Sequence, residues 1–121
     1  MAQVRALVVD DEAVILSLVK MILEKHGYKV ATARNGKKAL ELCLSGRRSF
    51  DFVVTDITMP VMDGRELARQ LAAHQITIPV LFMSGYGSQE EEKILRKPFS
   101  PMTLISAVET LLSESGAKSA R

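Results

Sequence analysis

The sequence predicts an α/β domain in which a parallel β-sheet is covered by helices on both faces. Short apolar runs alternate along the chain with segments whose apolar residues recur at helical spacing. Most of the runs are continuously apolar, which is typical of strands buried on both faces. A length of 121 residues with 47% hydrophobic content fits one domain, with a core of about residues 4–113.

The first half of the chain is predicted as strand, helix, strand and helix. Residues 4–9 form an apolar run interrupted only by Arg5. The first helix follows and ends at Gly27. Residues 28–33 form the second strand, and Asn35 caps the second helix. The predicted inward positions are Val14, Ile15, Leu18, Val19, Ile22 and Leu23 in the first helix, and Ala39, Leu40, Cys43 and Leu44 in the second.

The second half of the chain repeats this alternation. The predicted strands are residues 50–55, 78–83 and 94–96, with a helix at 65–74. Ser100 as N-cap and Pro101 at the first helical position open the last helix. The predicted inward positions are Leu67, Ala68, Leu71, Leu104, Ile105, Val108, Leu111 and Leu112. Residues 114–121 are expected to form a flexible tail.

Chemically reactive side chains follow four of the predicted strands. Asp10 and Asp11 follow the first strand, Asp56 the third, Ser84 the fourth and Lys97 the fifth. In open parallel sheets, ligands bind outside the carboxyl ends of the strands, where the strand order reverses. If the strand order is 2-1-3-4-5, these five residues share one crevice. Taken singly, each reads more simply as a cap, a turn residue or a solvated lysine, but their joint occurrence favours one site.

The three carboxylates predict a site for a hard divalent cation. Carboxylates packed together repel one another unless a cation intervenes. Oxygen ligands without histidine or cysteine suit Mg²⁺, which also prefers a phosphate oxygen. Asp56 can then act as a nucleophile that forms an acyl phosphate, while the metal and Lys97 neutralise the phosphoryl oxygens. Ser84 is expected to donate a hydrogen bond to the same group.

Four segments resemble the receiver domains of two-component response regulators, and the resemblance covers nearly the whole chain. These segments are residues 8–12, with the sequence VVDDE, residues 55–64, TDITMPVMDG, residues 84–85, SG, and residues 97–99, KPF. Receivers have a flavodoxin-like fold, a doubly wound five-stranded parallel sheet. They accept a phosphoryl group from a phosphohistidine on a histidine kinase or a histidine phosphotransfer domain.

The resemblance assigns a role to each residue of the site. Asp56 is the expected phosphoacceptor. Asp11 is expected to bind Mg²⁺ directly and Asp10 mainly through water, and the backbone carbonyl of Thr58 completes the protein's ligands. Ser84 and Lys97 are expected to hold the phosphoryl oxygens, with Thr58 and Gly85 as further phosphate-binding residues. The peptide bond between Lys97 and Pro98 is expected to be cis.

The sequence departs from the receiver pattern in two places. Only twelve residues separate Ser84 from Lys97, so the fourth helix of a typical receiver is expected to be vestigial or absent. The aromatic residue that receivers usually carry three positions before the lysine is Ile94 here. We therefore expect activation to be relayed by residues 85–93, with Tyr86 as the moving aromatic.

Three function classes remain open from the sequence. The favoured one is a signalling phosphoacceptor with slow autodephosphorylation and no other enzymatic activity. The second is a Mg²⁺-dependent phosphohydrolase, disfavoured because Thr58 stands where such enzymes carry an acid/base aspartate. The third is a phosphate-independent scaffold, disfavoured because a scaffold has no need of a costly acidic cluster.

Charge and hydropathy limit the expected partners. The net charge of +2 arises from 16 basic and 14 acidic residues without a basic block, so nucleic acid is not an expected direct partner. No segment reads as a signal peptide or a membrane span, so a cytoplasmic location is expected. The expected partners are a histidine kinase or phosphotransfer domain, and a downstream protein target.

Overall fold

A computed structural model describes residues 3–46, 49–85 and 94–115. Its elements are, in chain order, β1 (Arg5–Val9), α1 (Ala13–Lys25), β2 (Lys29–Ala33), α2 (Gly36–Leu44), β3 (Phe52–Asp56), α3 (Gly64–Ala73), β4 (Val80–Ser84), β5 (Ile94–Arg96) and α4 (Pro101–Ser115). The five strands form one sheet in the order β2-β1-β3-β4-β5, and every neighbouring pair is parallel. The predicted flavodoxin-like α/β fold is confirmed.

Two hydrophobic cores lie on opposite faces of the sheet. On one face, α1 and α4 pack over alternate strand residues such as Val8, Val54 and Met83. On the other face, α2 and α3 pack over residues such as Leu7 and Val53. These strand residues are fully buried, which explains why the strands read as continuous apolar runs.

Short polar side chains cap three of the four described helices. Asn35 accepts a hydrogen bond from Lys38 N at 2.8 Å, Asp63 accepts one from Glu66 N at 2.8 Å, and Ser100 accepts one from Thr103 N at 3.1 Å. The exception is α1, whose N-cap residue Glu12 makes no side-chain cap bond. Neither aspartate before α1 therefore acts as its cap.

The structure corrects two details of the helices. Val14, Leu18 and Leu44 were predicted to face the core, but they are 78%, 38% and 45% exposed, while Leu16 is buried. Helix α4 continues to Ser115, so the first two residues of the predicted tail are helical. No glycine or proline follows Leu112 until Gly116, and nothing in the sequence stops the helix earlier.

The connection between β4 and β5 consists of residues 85–93, of which the structure describes only Gly85. Four helices occur in the described ranges, which is consistent with the shortened crossover predicted for a receiver lacking most of its fourth helix. The predicted role of Tyr86 and its loop lies outside the described residues. Ile94 pairs with Phe82 at the start of β5. No helix within the described ranges combines the length and apolar character needed to cross a bilayer.

Gly64 lets the loop after β3 fold tightly beneath the end of that strand. Its N–H donates to the Ile57 carbonyl at 2.8 Å, and the Ile57 N–H donates to the Met83 carbonyl at 3.0 Å. A Cβ atom on Gly64 would collide with the backbone carbonyl of Asp56, which cannot give way as the end of a flexible side chain would. Glycine is therefore required here by a close backbone approach.

We expect Gly64→Ala to lower the free energy of unfolding by about 1–3 kcal/mol, because the added methyl group displaces the backbone of Asp56. Urea unfolding followed by circular dichroism measures the change. Gly85→Ala is the matched control, since a Cβ atom there meets no atom of the described residues within 4 Å. Equal stability of the two variants would contradict this account of the loop.

Candidate functional site at the carboxyl edge of the sheet

The register of the sheet brings three carboxylates together. Val9 of β1 pairs with Thr55 of β3, so Asp10 and Asp56 follow at the same level on neighbouring strands. Asp11 comes next in the chain, and one oxygen atom from each of the three aspartates lies within 4.8 Å of the others. Asp10 is fully buried and Asp56 is 8% exposed.

The hydroxyl and the ammonium come from the next two strands. Asp56 pairs with Met83, so Ser84 lies one residue further along the same edge. Ser84 in turn pairs with Arg96, and the Lys97 N–H donates to the Ser84 carbonyl at 2.9 Å. The bond between Lys97 and Pro98 is cis. The strand order therefore places all four strand ends along one crevice.

An open cleft of about 350 Å³ lies over these strand ends. It is lined by Asp11, Glu12, Asp56, Thr58, Ser84, Gly85 and Lys97. Asp10 does not line the cleft, because its carboxylate lies beneath it and accepts hydrogen bonds from Glu12 N at 2.9 Å and Lys97 Nζ at 3.2 Å. All seven residues predicted for the site are thus in or directly below the cleft.

Lys97 bridges the carboxylates on both sides of the cleft. Its Nζ lies 3.1 Å from Asp56 Oδ1, 3.2 Å from Asp10 Oδ2 and 3.5 Å from Glu12 Oε1. The lysine side chain is only 15% exposed, so these contacts lie in a partly desolvated place where charge interactions are stronger than in water. Because the aspartates outnumber the ammonium, the site remains negatively charged.

The environment raises the pKa of both partners of the Asp56–Lys97 pair. Burial raises the pKa of Asp56, the hydrogen bond and charge of Lys97 counteract part of this increase, and the charges of Asp10 and Asp11 add to it. Burial by itself lowers the pKa of Lys97, but Asp56 and Asp10 outweigh that effect and hold its pKa above the ordinary value. Lys97 is therefore an ammonium at neutral pH.

The donor set fits a hard cation. Every side-chain ligand in the aspartate cluster is a carboxylate oxygen, and this is the one cluster of potential metal ligands among the described residues. Magnesium binds through one or two carboxylates and retains sites for water and phosphate. Asp11 meets that requirement, because its carboxylate is partly exposed at the floor of an open cleft and lies beside the buried carboxylate of Asp10.

The fold and the site together define a receiver domain, and comparison with known proteins agrees. The family model described as "Response regulator receiver domain" matches residues 6–109. The match spans most of the chain, so the protein belongs to the response regulator receiver family.

Individual relatives give the same result. The alkaline phosphatase synthesis transcriptional regulatory protein PhoP of Bacillus subtilis is 33% identical over 92% of this chain, and the match covers 49% of PhoP. The chain therefore spans about half the length of the curated relatives it matches. Among solved structures, chemotaxis protein CheY4 of Vibrio cholerae has a TM-score of 0.81 at 31% identity, covering 91% of this chain and 99% of CheY4. A response regulator receiver protein of Sinorhizobium medicae has a TM-score of 0.81 at 34% identity, and the match covers 93% of this chain and 97% of that protein.

The cleft also contains Glu12, which was not predicted as a site residue from the sequence. It follows the aspartate pair directly, and its carboxylate reaches Lys97. A detectable signal was present in the sequence, because glutamate is a poor choice at a helix N-cap and points to another use of its side chain.

We expect Asp56→Asn to raise the thermal midpoint by about 3–6 °C at pH 7 in the presence of EDTA. The raised pKa of Asp56 means that its charged form is less favourable in the folded protein than in the unfolded chain. Removal of that charge therefore stabilises the fold. As the pH falls through the raised pKa, the wild-type carboxyl group becomes neutral, and the two midpoints should converge.

Differential scanning calorimetry at several pH values measures this difference. Asp63→Asn serves as the control, because asparagine caps a helix as well as aspartate does and Asp63 is exposed. A variant at position 56 that is less stable than wild type at pH 7 would contradict the assigned electrostatics.

Proposed function

We propose that this domain accepts a phosphoryl group on Asp56 from a phosphohistidine of a histidine kinase or phosphotransfer protein. The observation that carries the proposal is the position of Lys97, whose ammonium lies 3.1 Å from Asp56 and 3.2 Å from Asp10. A single cation held between the nucleophile and the metal-binding carboxylates is placed to neutralise an arriving phosphoryl group.

In the proposed reaction, one Oδ atom of Asp56 attacks the phosphorus atom. The new bond is a carboxylate O–P bond, the bond that breaks is the donor's N–P bond, and the electron pair leaves with the imidazole, which takes up a proton. The partial burial of Asp56 keeps its nucleophilic oxygen poorly solvated, and its raised pKa increases its basicity. The product is an aspartyl phosphate.

The other residues of the cleft hold the transferred group. Lys97 exchanges its contact with Asp56 for one with a phosphoryl oxygen, and Ser84 donates a hydrogen bond to another. Thr58 and Gly85 line the same cleft and limit the approach of water to the acyl phosphate. Hydrolysis of that bond returns the domain to its resting state, and we propose no other turnover.

In this proposal magnesium would be held by Asp10, Asp11, Asp56 and the backbone carbonyl of Thr58. When bound, it would supply the positive charge that offsets the transferred phosphoryl group. Asp11 is the partly exposed member of the aspartate cluster and would hold the ion directly, whereas the buried Asp10 would act mainly through water.

We also propose how phosphorylation of the domain is passed on to other proteins. PhoP carries transcriptional regulation in its name, but this chain matches only half of that protein. We propose that phosphorylation changes the affinity of this domain for a downstream protein. A phosphate-independent scaffold is disfavoured, because such a protein gains nothing from the desolvation of three carboxylates.

We expect one added phosphoryl group on the wild type after incubation with acetyl phosphate and Mg²⁺, and none on Asp56→Asn, which lacks the nucleophilic oxygen. Intact-protein mass spectrometry measures the added mass on both proteins. Asp63→Asn, the same change seven residues further along, should be phosphorylated like the wild type. Loss of the adduct in the control as well, or its presence on Asp56→Asn, would overturn the assignment.

Two variants of the proposed metal ligands, Asp11→Asn and Thr58→Ala, form a second matched pair. Asp11→Asn removes a carboxylate and should weaken Mg²⁺ binding by about tenfold or more. Thr58→Ala retains the backbone carbonyl and should bind Mg²⁺ with nearly wild-type affinity. Isothermal titration calorimetry compares the two, and a larger loss in Thr58→Ala than in Asp11→Asn would refute the ligand set.

A further inference from the structure

Glu12 adds a fourth carboxylate to the site, at the mouth of the cleft. Its Oε1 lies 3.5 Å from Lys97 Nζ, and its side chain is 63% exposed. Asp10 and Asp56 approach the same ammonium from inside the protein. Lys97 is therefore shared between two inner carboxylates and one outer carboxylate.

The place of Glu12 in the chain is unfavourable for the helix that it begins. An N-cap residue normally accepts a hydrogen bond from the first turn through a short side chain. Asn35, Asp63 and Ser100 do so in the other described helices, whereas Glu12 makes no such bond. A local choice that disagrees with the fold often marks a functional position. Here the carboxylate contacts Lys97 instead of the helix.

The charge of Glu12 opposes the arrival of a phosphoryl group in two ways. The group needs a contact with Lys97, and Glu12 already competes for that ammonium. The group and its small-molecule donors are also anionic, and Glu12 lines the cleft that they must enter. Between charges a few ångströms apart near a protein surface, repulsion of this kind changes rates severalfold.

We propose that Glu12 is a positioning residue that retains Lys97 in the resting site and slows phosphorylation by free anionic donors. The inference rests on the proposed function, in which Asp56 accepts the phosphoryl group. With acetyl phosphate as donor, the Asp56 O–P bond forms, the donor's O–P bond breaks, and acetate leaves with the electron pair. Glu12 takes no part in these bonds and changes only the charge that the donor meets and the availability of Lys97.

The direct test compares the phosphorylation rates of Glu12→Gln and wild type with acetyl phosphate and Mg²⁺ at low ionic strength. Removal of the charge without change of shape should raise the rate by about three- to tenfold. Glu24→Gln is the matched control. Glu24 lies near the opposite end of α1 and pairs with Lys20 at 3.3 Å, away from the cleft, so this variant should retain the wild-type rate.

Two further readouts separate a charge effect from a structural one. In about 0.5 M salt the difference in phosphorylation rate between Glu12→Gln and wild type should shrink, because salt screens a partly exposed charge. Beryllofluoride, an anion that resembles the phosphoryl group, should bind Glu12→Gln more tightly than wild type without any transfer chemistry. A rate advantage that persists undiminished at high salt would overturn the charge mechanism.

The outcomes also distinguish this inference from the proposed function. Wild type that is phosphorylated at the same rate as Glu12→Gln would overturn the role of Glu12 and leave Asp56 as the acceptor. Wild type and Glu12→Gln that both fail to gain a phosphoryl group would overturn the proposed function and the role of Glu12 with it.

Discussion

The site depends on the contact of Lys97 with Asp56 and Asp10. Three carboxylates at the end of two adjacent strands repel one another, and burial of Asp10 removes its carboxylate from bulk solvent. The ammonium, at 3.1 and 3.2 Å, offsets part of that repulsion and leaves a net negative charge, which favours the binding of a divalent cation. The same contact ties the short edge strand β5 to the centre of the sheet. The same cluster of carboxylates therefore lowers the stability of the fold and enables the site to bind a cation.

Much of the fold was predictable because each signal in the sequence has a local physical cause. The continuous apolar runs reflect strands buried on both faces, and Asn35 and Ser100 cap their helices as predicted. The site was predictable for a topological reason. Once parallel strands are arranged 2-1-3-4-5, residues that follow their carboxyl ends must meet at one edge, and the register of β1 with β3 brings Asp10 level with Asp56.

The differences between prediction and structure have separate physical causes. Helical periodicity gives a broad apolar face for α1, but it does not reveal which part of that face the rest of the protein covers, so Val14 was wrongly placed inside. The extension of α4 to Ser115 reflects the absence of a stop signal, which a pattern of buried residues does not register. Glu12 was missed although it is a poor N-cap residue, because its contact with Lys97 joins residues 85 positions apart in the sequence.

The most direct test of the central claim is chemical identification of the phosphorylated atom. Borohydride reduces an aspartyl phosphate to homoserine, so treatment of the acetyl phosphate product followed by peptide mapping locates the modified residue. The account predicts homoserine at position 56 and nowhere else. Homoserine at Asp10 or Asp11, or a borohydride-resistant phosphate ester on Ser84, would contradict it.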